Sequence, residues 1–166
     1  MTVYRLFSKG IMLLGLLTLF SCGEPDTEDD PIENFTRTNQ NGQILSEDPN
    51  DWRIAARFAG EVQISQVAFP NPTRNGQVQL TMQFSSTVGF SRIDFLGITR
   101  DGFPVNYPVI LETDVNVPNF GAKNYLIDLV KISPNRNLAD LRGRLFRVRV
   151  IDVAGNIITY GDVFIE

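Results

Sequence analysis

Of the side chains that most often do chemistry, histidine is absent and cysteine occurs once, at Cys22. Without histidine the chain lacks the commonest general base, the usual partner of a serine or cysteine nucleophile, and the commonest metal ligand. The catalytic routes left are paired carboxylates or serine with lysine, and neither forms a recognisable motif. Lys123 and Lys131 fall near turns and on strand faces, where a solvated lysine is the ordinary case. No enzyme and no cofactor is expected. Calcium is the ion best served by loop oxygens, and Asp101, Asp114, Asp152 and Asp162 fall in or near turn signals. No regular ligand ladder accompanies them, and aspartate is a common turn former, so no metal site is expected. Trp52, Tyr107, Phe120, Tyr125 and Tyr160 are the rings that a sugar platform would use. The competing reading places them in core or rim packing. Arg142, Arg144, Arg147 and Arg149 make a basic stripe. It is read as a solvated strand face that discourages edge pairing, with an acidic partner or polysaccharide as the alternative.

The lone thiol has a telling setting. Met1–Gly10 carries Arg5 and Lys9 and no acid, Ile11–Phe20 is almost wholly apolar, and Ser21 is small. That is a secretory signal layout, and the apolar run is about half the length a membrane-spanning helix needs. Leu19-Phe20-Ser21-Cys22 resembles the lipobox of bacterial lipoproteins, apart from the large Phe20. The resemblance implies cleavage before Cys22 and a lipid on its sulfur; an ordinary signal peptide that leaves a free thiol is the alternative. Removing Met1–Ser21 takes away Arg5 and Lys9 and leaves 13 basic against 19 acidic residues, a net charge of −6. Such a balance argues against nucleic acid and against a polybasic grip on anionic lipid. The expected partners are the membrane, through the N-terminal lipid, and an envelope protein or glycan.

Gly23–Pro31 reads GEPDTEDDP and has nothing to bury, so a solvated, extended tether is expected. Glu28, Asp29 and Asp30, just after the cysteine, resemble the surface-export signal of Bacteroidota lipoproteins. Ile32–Asp51 is polar and turn-rich and reads as more tether, with a short edge strand at Gln43–Leu45. Three regions follow: a signal peptide over 1–21, a lipidated cysteine and tether over 22–51, and one domain over 52–166. The expected address is the outer membrane, lipid-anchored, with the cell surface as its candidate face.

From about Glu61 the chain is a series of short alternating runs. In Gln77–Phe84, Val78, Leu80, Met82 and Phe84 share one face and polar residues take the other, as in a half-buried antiparallel strand. Asn71-Pro72-Thr73-Arg74-Asn75-Gly76 is a turn ahead of it. Val62–Phe69 changes phase near Ser65-Gln66, as a bulge would cause. Ser91–Ile98 and Phe103–Ile110 flank a hairpin-type turn at Arg100-Asp101-Gly102. Pro104 and Pro108 put the second of these strands at an edge. Tyr125–Ile132, Leu145–Asp152 and Ile157–Ile165 complete the set, Gly161 marking a bulge or bend and Ser133–Leu141 a looser crossing. About seven strands and no convincing long helix predict an all-β, immunoglobulin-like antiparallel sandwich.

Val67–Gly76, VAFPNPTRNG, with the strand after it and Ile93–Gly102, resembles the opening of two immunoglobulin-like families: the type IX secretion sorting domain and the module of flagellar hook-capping proteins. Gly143–Asn156, GRLFRVRVIDVAGN, is similar to the last hairpin of bacterial immunoglobulin-like adhesion domains. These resemblances imply a fold and not a reaction. The functional expectation is a non-enzymatic, lipid-anchored envelope protein in an adhesion, structural or accessory-subunit role; the alternative is a glycan-binding surface lipoprotein of a polysaccharide uptake system.

Overall fold

The computed structural model describes residues 34–85, 89–99 and 108–166. These residues lie in a unit that runs from Ile32 to Glu166. Cys22, Glu28, Asp29, Asp30, Asp101, Tyr107 and the Arg100-Asp101-Gly102 turn are outside the described residues. Among the described residues no helix is long and apolar enough to cross a membrane.

Among the described residues there are nine strands: β1 (Arg37–Thr38), β2 (Ile44–Ser46), β3 (Val62–Phe69), β4 (Gln77–Phe84), β5 (Ile93–Thr99), β6 (Val109–Asp114), β7 (Gly121–Asp128), β8 (Arg144–Asp152) and β9 (Ile157–Ile165). Seven of them build an antiparallel sandwich, with β3-β4-β7 in one sheet and β6-β5-β8-β9 in the other. Sending β5 across to β8, and β7 back to β4, gives the Greek-key order of an immunoglobulin-like sandwich. β1 and β2 pair as a separate hairpin.

The alternation explains the layers. Val78, Leu80, Met82 and Phe84 of β4 are buried against Ile93 and Phe95 of β5 and Phe146, Val148 and Val150 of β8, all in one core with Tyr125, Ile127 and Leu111. The phase change in β3 is a register shift between Ile64 and Gln66. The crossing after β7 is two 3-10 turns, Leu129–Ile132 and Leu138–Leu141, which bury Leu129, Ile132 and Leu141. Gly76 takes a left-handed φ of 75° in the turn before β4, and a side chain there would meet Val130 and Leu138.

Two expectations are corrected. The domain does not start at Trp52. Residues 34–51 are folded, with Phe35, Thr36, Thr38 and Asp51 all buried. Polar contacts hold the segment, which is why apolar patterning passed over it. Its short strand is Ile44–Ser46, one residue later than Gln43–Leu45. Nor does Gly161 mark a bulge, since it pairs in regular register with Val148. The irregularity in that hairpin lies between Val150 and Ile151. Gly161 is small because the indole of Trp52 lies against it, with Nε1 at 2.5 Å from where a Cβ would stand.

Candidate functional site

Asp51–Ala55 and Asn71–Thr73 cover the outer edge of β9. Trp52 N–H donates to Tyr160 C=O at 2.6 Å, Ala55 N–H to Ile158 C=O at 2.8 Å, and Thr73 N–H to Phe164 C=O at 2.9 Å. Asp162 N–H donates to Asp51 Oδ1 at 3.1 Å and Phe164 N–H to Asn71 Oδ1 at 3.0 Å. An edge strand with unpaired amides invites pairing with another chain; this one is closed by its own sequence.

Asn71 is the hub of that closure. It has no exposure, and its Nδ2 donates to Thr36 C=O at 2.7 Å and to Asp162 C=O at 2.8 Å. Its backbone N–H donates to Thr38 Oγ1 at 2.9 Å, and its C=O accepts from Thr38 N–H at 2.7 Å. The peptide bonds Phe69-Pro70 and Asn71-Pro72 on either side are cis. The Phe-Pro-Asn-Pro element is therefore a structural clamp between the N-terminal segment, β3 and β9.

On the outward face of β8 and β9 lies the most elaborate polar cluster. Asp162, 1% exposed, is gripped through both carboxylate oxygens by Arg147, Nε to Oδ1 and Nη2 to Oδ2, each at 2.8 Å. A bidentate pair of this kind offsets the cost of burying the charge. The hydrogen bond to Asp162 raises the Arg147 pKa further, against the effect of burial. The guanidinium stands over the Tyr160 ring at 4.6 Å, a cation–π arrangement. Asp51, 8% exposed, accepts from Thr36 N–H at 2.8 Å through its other oxygen. Burial pushes its carboxyl up to about 6, helped by the nearby charges of Asp162 and Asp48 and opposed by its two backbone donors. Asp51, Arg147 and Tyr160 line an open cleft of about 540 Å3 together with Asn34, Glu47, Asp48, Pro49 and Asn50. Asp51 and Asp162 are two buried carboxylates joined by the bond from Asp162 N–H to Asp51 Oδ1. Here the oxygens of both are taken up by backbone amides and by Arg147, which makes the pair a structural joint. The cleft is equipped to hold a polar ligand.

A second network bridges the sheets on the opposite side. Asp114, at the end of β6, accepts from Lys123 Nζ at 2.7 Å, Tyr125 Oη at 2.8 Å and Asn116 N–H at 2.8 Å. Burial alone would raise its pKa, but the donors from Lys123, Asn116 and Tyr125 outweigh it and the net direction is down. Burial, and then the bond to Asp114, move the Tyr125 phenol upward. Lys131 Nζ donates to Leu111 C=O of β6.

Few of the sequence candidates offer themselves to a ligand. Trp52 and Tyr125 are each 4% exposed and belong to the core. They are corrected as sugar-platform residues because neither presents a ring face to solvent. Phe120, 72% exposed, is open and stands apart from both polar networks. Of the calcium candidates, Asp114 is engaged by Lys123 and Tyr125, Asp162 by Arg147, and Asp152 by Asn156 N–H and Nδ2 at 2.8 and 2.7 Å. Among the described residues no three acidic, cysteine or histidine side chains converge as metal ligands. Arg147 is the member of the basic stripe that reaches the cleft. Asp51 and Asn71 stood in stretches read as turns, and nothing in periodicity marks a buried polar hub.

No family model and no curated protein matches this chain. Among solved structures it is similar to the sensor domain of the anti-sigma factor RsgI4 in Pseudobacteroides cellulosolvens, with a TM-score of 0.38, 10% identity, and coverage of 64% of this chain and 95% of that one. It is also similar to superoxide reductase (neelaredoxin) from Ignicoccus hospitalis, with a TM-score of 0.39, 12% identity, and coverage of 78% and 95%. Likeness at this level carries no functional argument.

Proposed function

We propose that this chain is a non-enzymatic, lipid-anchored protein of the cell envelope, held in the outer membrane by Cys22, whose sandwich serves an adhesion, structural or accessory-subunit role. The observation that carries the proposal is Leu19-Phe20-Ser21-Cys22 behind a charged start and a short apolar run. Acyl chains contribute about 0.8 kcal/mol per buried methylene, so more than one chain on a cysteine gives stable anchoring. The stretch between Cys22 and the described fold, which begins at Asn34, is shorter than the tether read from the sequence. Glu28, Asp29 and Asp30 stay the candidates for export to the outer face. The sandwich itself resembles type IX sorting and hook-capping immunoglobulin-like domains in its VAFPNPTRNG opening, as a shared fold. Cys22→Ala is expected to abolish incorporation of an alkyne-tagged fatty acid and to release the protein from the membrane fraction. Unchanged labelling and fractionation in that variant would reject the proposal.

Glycan capture is the second reading; of the five rings considered from the sequence, Tyr160 supports it, since it lines the polar cleft with Arg147. Tyr160→Ala is expected to abolish retention on the polysaccharide that retains the wild type; equal retention of both removes the cleft from consideration.

A further inference from the structure

The outward face of the β3-β4-β7 sheet is built of amides where an acidic protein would be expected to carry charge. Gln77, Gln79, Thr81 and Gln83 of β4 run down its middle. β3 sets Gln63, Gln66 and Phe69 opposite them on one side. β7 sets Ala122, Asn124 and Leu126 opposite them on the other. All are exposed or half-buried. Residues directly opposite one another share a face, so they form one continuous surface without a charged side chain. The one charged residue paired to it is Asp128, opposite Gln77 at the corner, where it caps the 3-10 turn that follows. The chain as a whole carries a net charge of −4, and the outward positions of β8 and β9 hold Arg147, Arg149 and Asp162.

Each carboxamide brings two N–H donors and a carbonyl acceptor. Thr81 Oγ1 donates to Asn124 Oδ1 at 2.8 Å, and Gln66 Nε2 donates to Gly42 C=O at 2.6 Å. The side-chain amides of Gln63, Gln77, Gln79 and Gln83 make no hydrogen bond among the described residues. Apolar groups stand at the two ends. Phe120, 72% exposed, shares a shallow pocket of about 160 Å3 with Gln63, Gln83 and Glu61. Leu126, 54% exposed, shares another of about 300 Å3 with Phe69, Gln79 and Gln40. Between them β4 runs about 20 Å from Gln77 to Gln83, at about 3.4 Å per residue.

We propose that this face binds an uncharged polysaccharide, laid along β4 from one pocket to the other. Adjacent sugar hydroxyls donate and accept together, as a carboxamide does, and the contact desolvates no ion on either side. The C–H face of a sugar ring covers an aromatic side chain, and Phe120 and Phe69 supply one at each end. A polyanion is disfavoured by the protein's own negative charge. A second copy of the chain fits less well, because a stable protein interface has an apolar centre and here the apolar groups stand apart with amides between them. The proposal shares glycan capture with the second reading above and differs in place: a chain held by the cleft is lost in Tyr160→Ala, and one held by the sheet is not.

The test is affinity electrophoresis of the full chain in non-ionic detergent. Native gels contain dextran, soluble starch, galactomannan, xylan or mixed-linkage β-glucan, with polygalacturonate as the charged comparison. At least one neutral gel is expected to retard the wild type, and polygalacturonate is not. Loss of one neutral hydrogen bond weakens binding about two- to tenfold, so Gln79→Ala combined with Gln83→Ala should raise the Kd about tenfold or more. Phe120→Ala should raise it too, and Tyr160→Ala should leave it unchanged. These are surface positions, where substitutions alter stability little, and unchanged thermal melts are expected of all three variants. Free migration in every neutral gel, or retardation by polygalacturonate alone, would overturn the proposal. So would undiminished retardation of the Gln79 and Gln83 double variant; with loss in Tyr160→Ala, that result would sustain the cleft in its place. A dimer in size-exclusion chromatography that the double variant dissolves, without retardation in any gel, would assign the face to a second copy and overturn the proposal as well.

Discussion

Gly161→Ala tests the packing that makes the N-terminal segment part of the domain. Gly161 faces the core beside Val148, and Trp52 lies flat enough on it that an added methyl would fall deep inside contact with Cε2 and Cδ2 and 2.5 Å from Nε1. Carbon atoms rest at about 3.5–4.0 Å, so the indole must withdraw by at least about 1 Å. Overpacking that a core absorbs by small shifts costs about 1–3 kcal/mol. Complete expulsion of a ring that buries about 150–250 Å2 costs about 4–6 kcal/mol at about 25 cal/mol per Å2. Because Trp52 is also pinned through its N–H to Tyr160, the outcome should fall between these limits, at about 2–5 kcal/mol. Urea unfolding followed by circular dichroism gives the stability, and the emission of the chain's single tryptophan gives the exposure of the indole; a red shift is expected. A Trp52→Ala background completes the cycle: there Gly161→Ala should fall within about 0.5 kcal/mol of neutral. Gly161→Ala with wild-type stability and unshifted emission would refute the packing and the wrapped edge with it.

Three further outcomes are expected. Asn71→Ala strands Thr36 C=O, Asp162 C=O and Phe164 N–H in a dry site; with each orphaned group costing about 1–3 kcal/mol, a loss of at least about 3 kcal/mol should appear in urea unfolding. Arg147→Met removes the two-pronged partner of the buried Asp162 carboxylate, which should cost about 3–5 kcal/mol; the double change Arg147→Met with Asp162→Leu should recover most of it. Asp114 is held below its ordinary pKa, so its contribution is complete above that ordinary value and lost as pH falls through the lowered one. Lys123→Met should flatten the acid limb of a stability–pH profile measured by thermal melting.

Most strands were legible where one face is apolar and the other polar, but the run read as a strand over Tyr125–Ile132 is β7 at Gly121–Asp128 followed by a 3-10 turn at Leu129–Ile132. Val62–Phe69, Gln77–Phe84 and Ile157–Ile165 form over the same residues the alternation marks, and even the slip in β3 shows as a phase change at Ser65-Gln66. The hidden part is the part held by hydrogen bonds. Residues 34–51 bury one large apolar side chain, Phe35, which meets Phe164 at 5.9 Å between ring centroids. The rest of their anchoring comes from Thr36 C=O accepting from Asn71 Nδ2, Thr38 Oγ1 donating to Ala68 C=O and Asp51 Oδ1 accepting from Asp162 N–H. Threonine and aspartate in a turn-rich stretch read the same whether they face water or a partner distant in sequence. The candidate cleft was missed for the same reason. Arg147, which lines it, pairs with Asp162 across neighbouring strands, and only the fold brings Asp48 and Asp51 to the same cleft. Tyr160 was among the rings considered, but its alternation with buried neighbours gave no sign that it would line a cleft. Trp52 stood between a sugar platform and core packing, and its burial depends on Gly161, over a hundred positions away.

The central claim, a sandwich anchored by lipid on its cysteine, is tested most directly by intact mass spectrometry of the N-terminal peptide from detergent-extracted protein. The expected species begins at Cys22 and carries a diacylglyceryl group on sulfur. A peptide that begins elsewhere, or one with an unmodified Cys22 thiol, would contradict it.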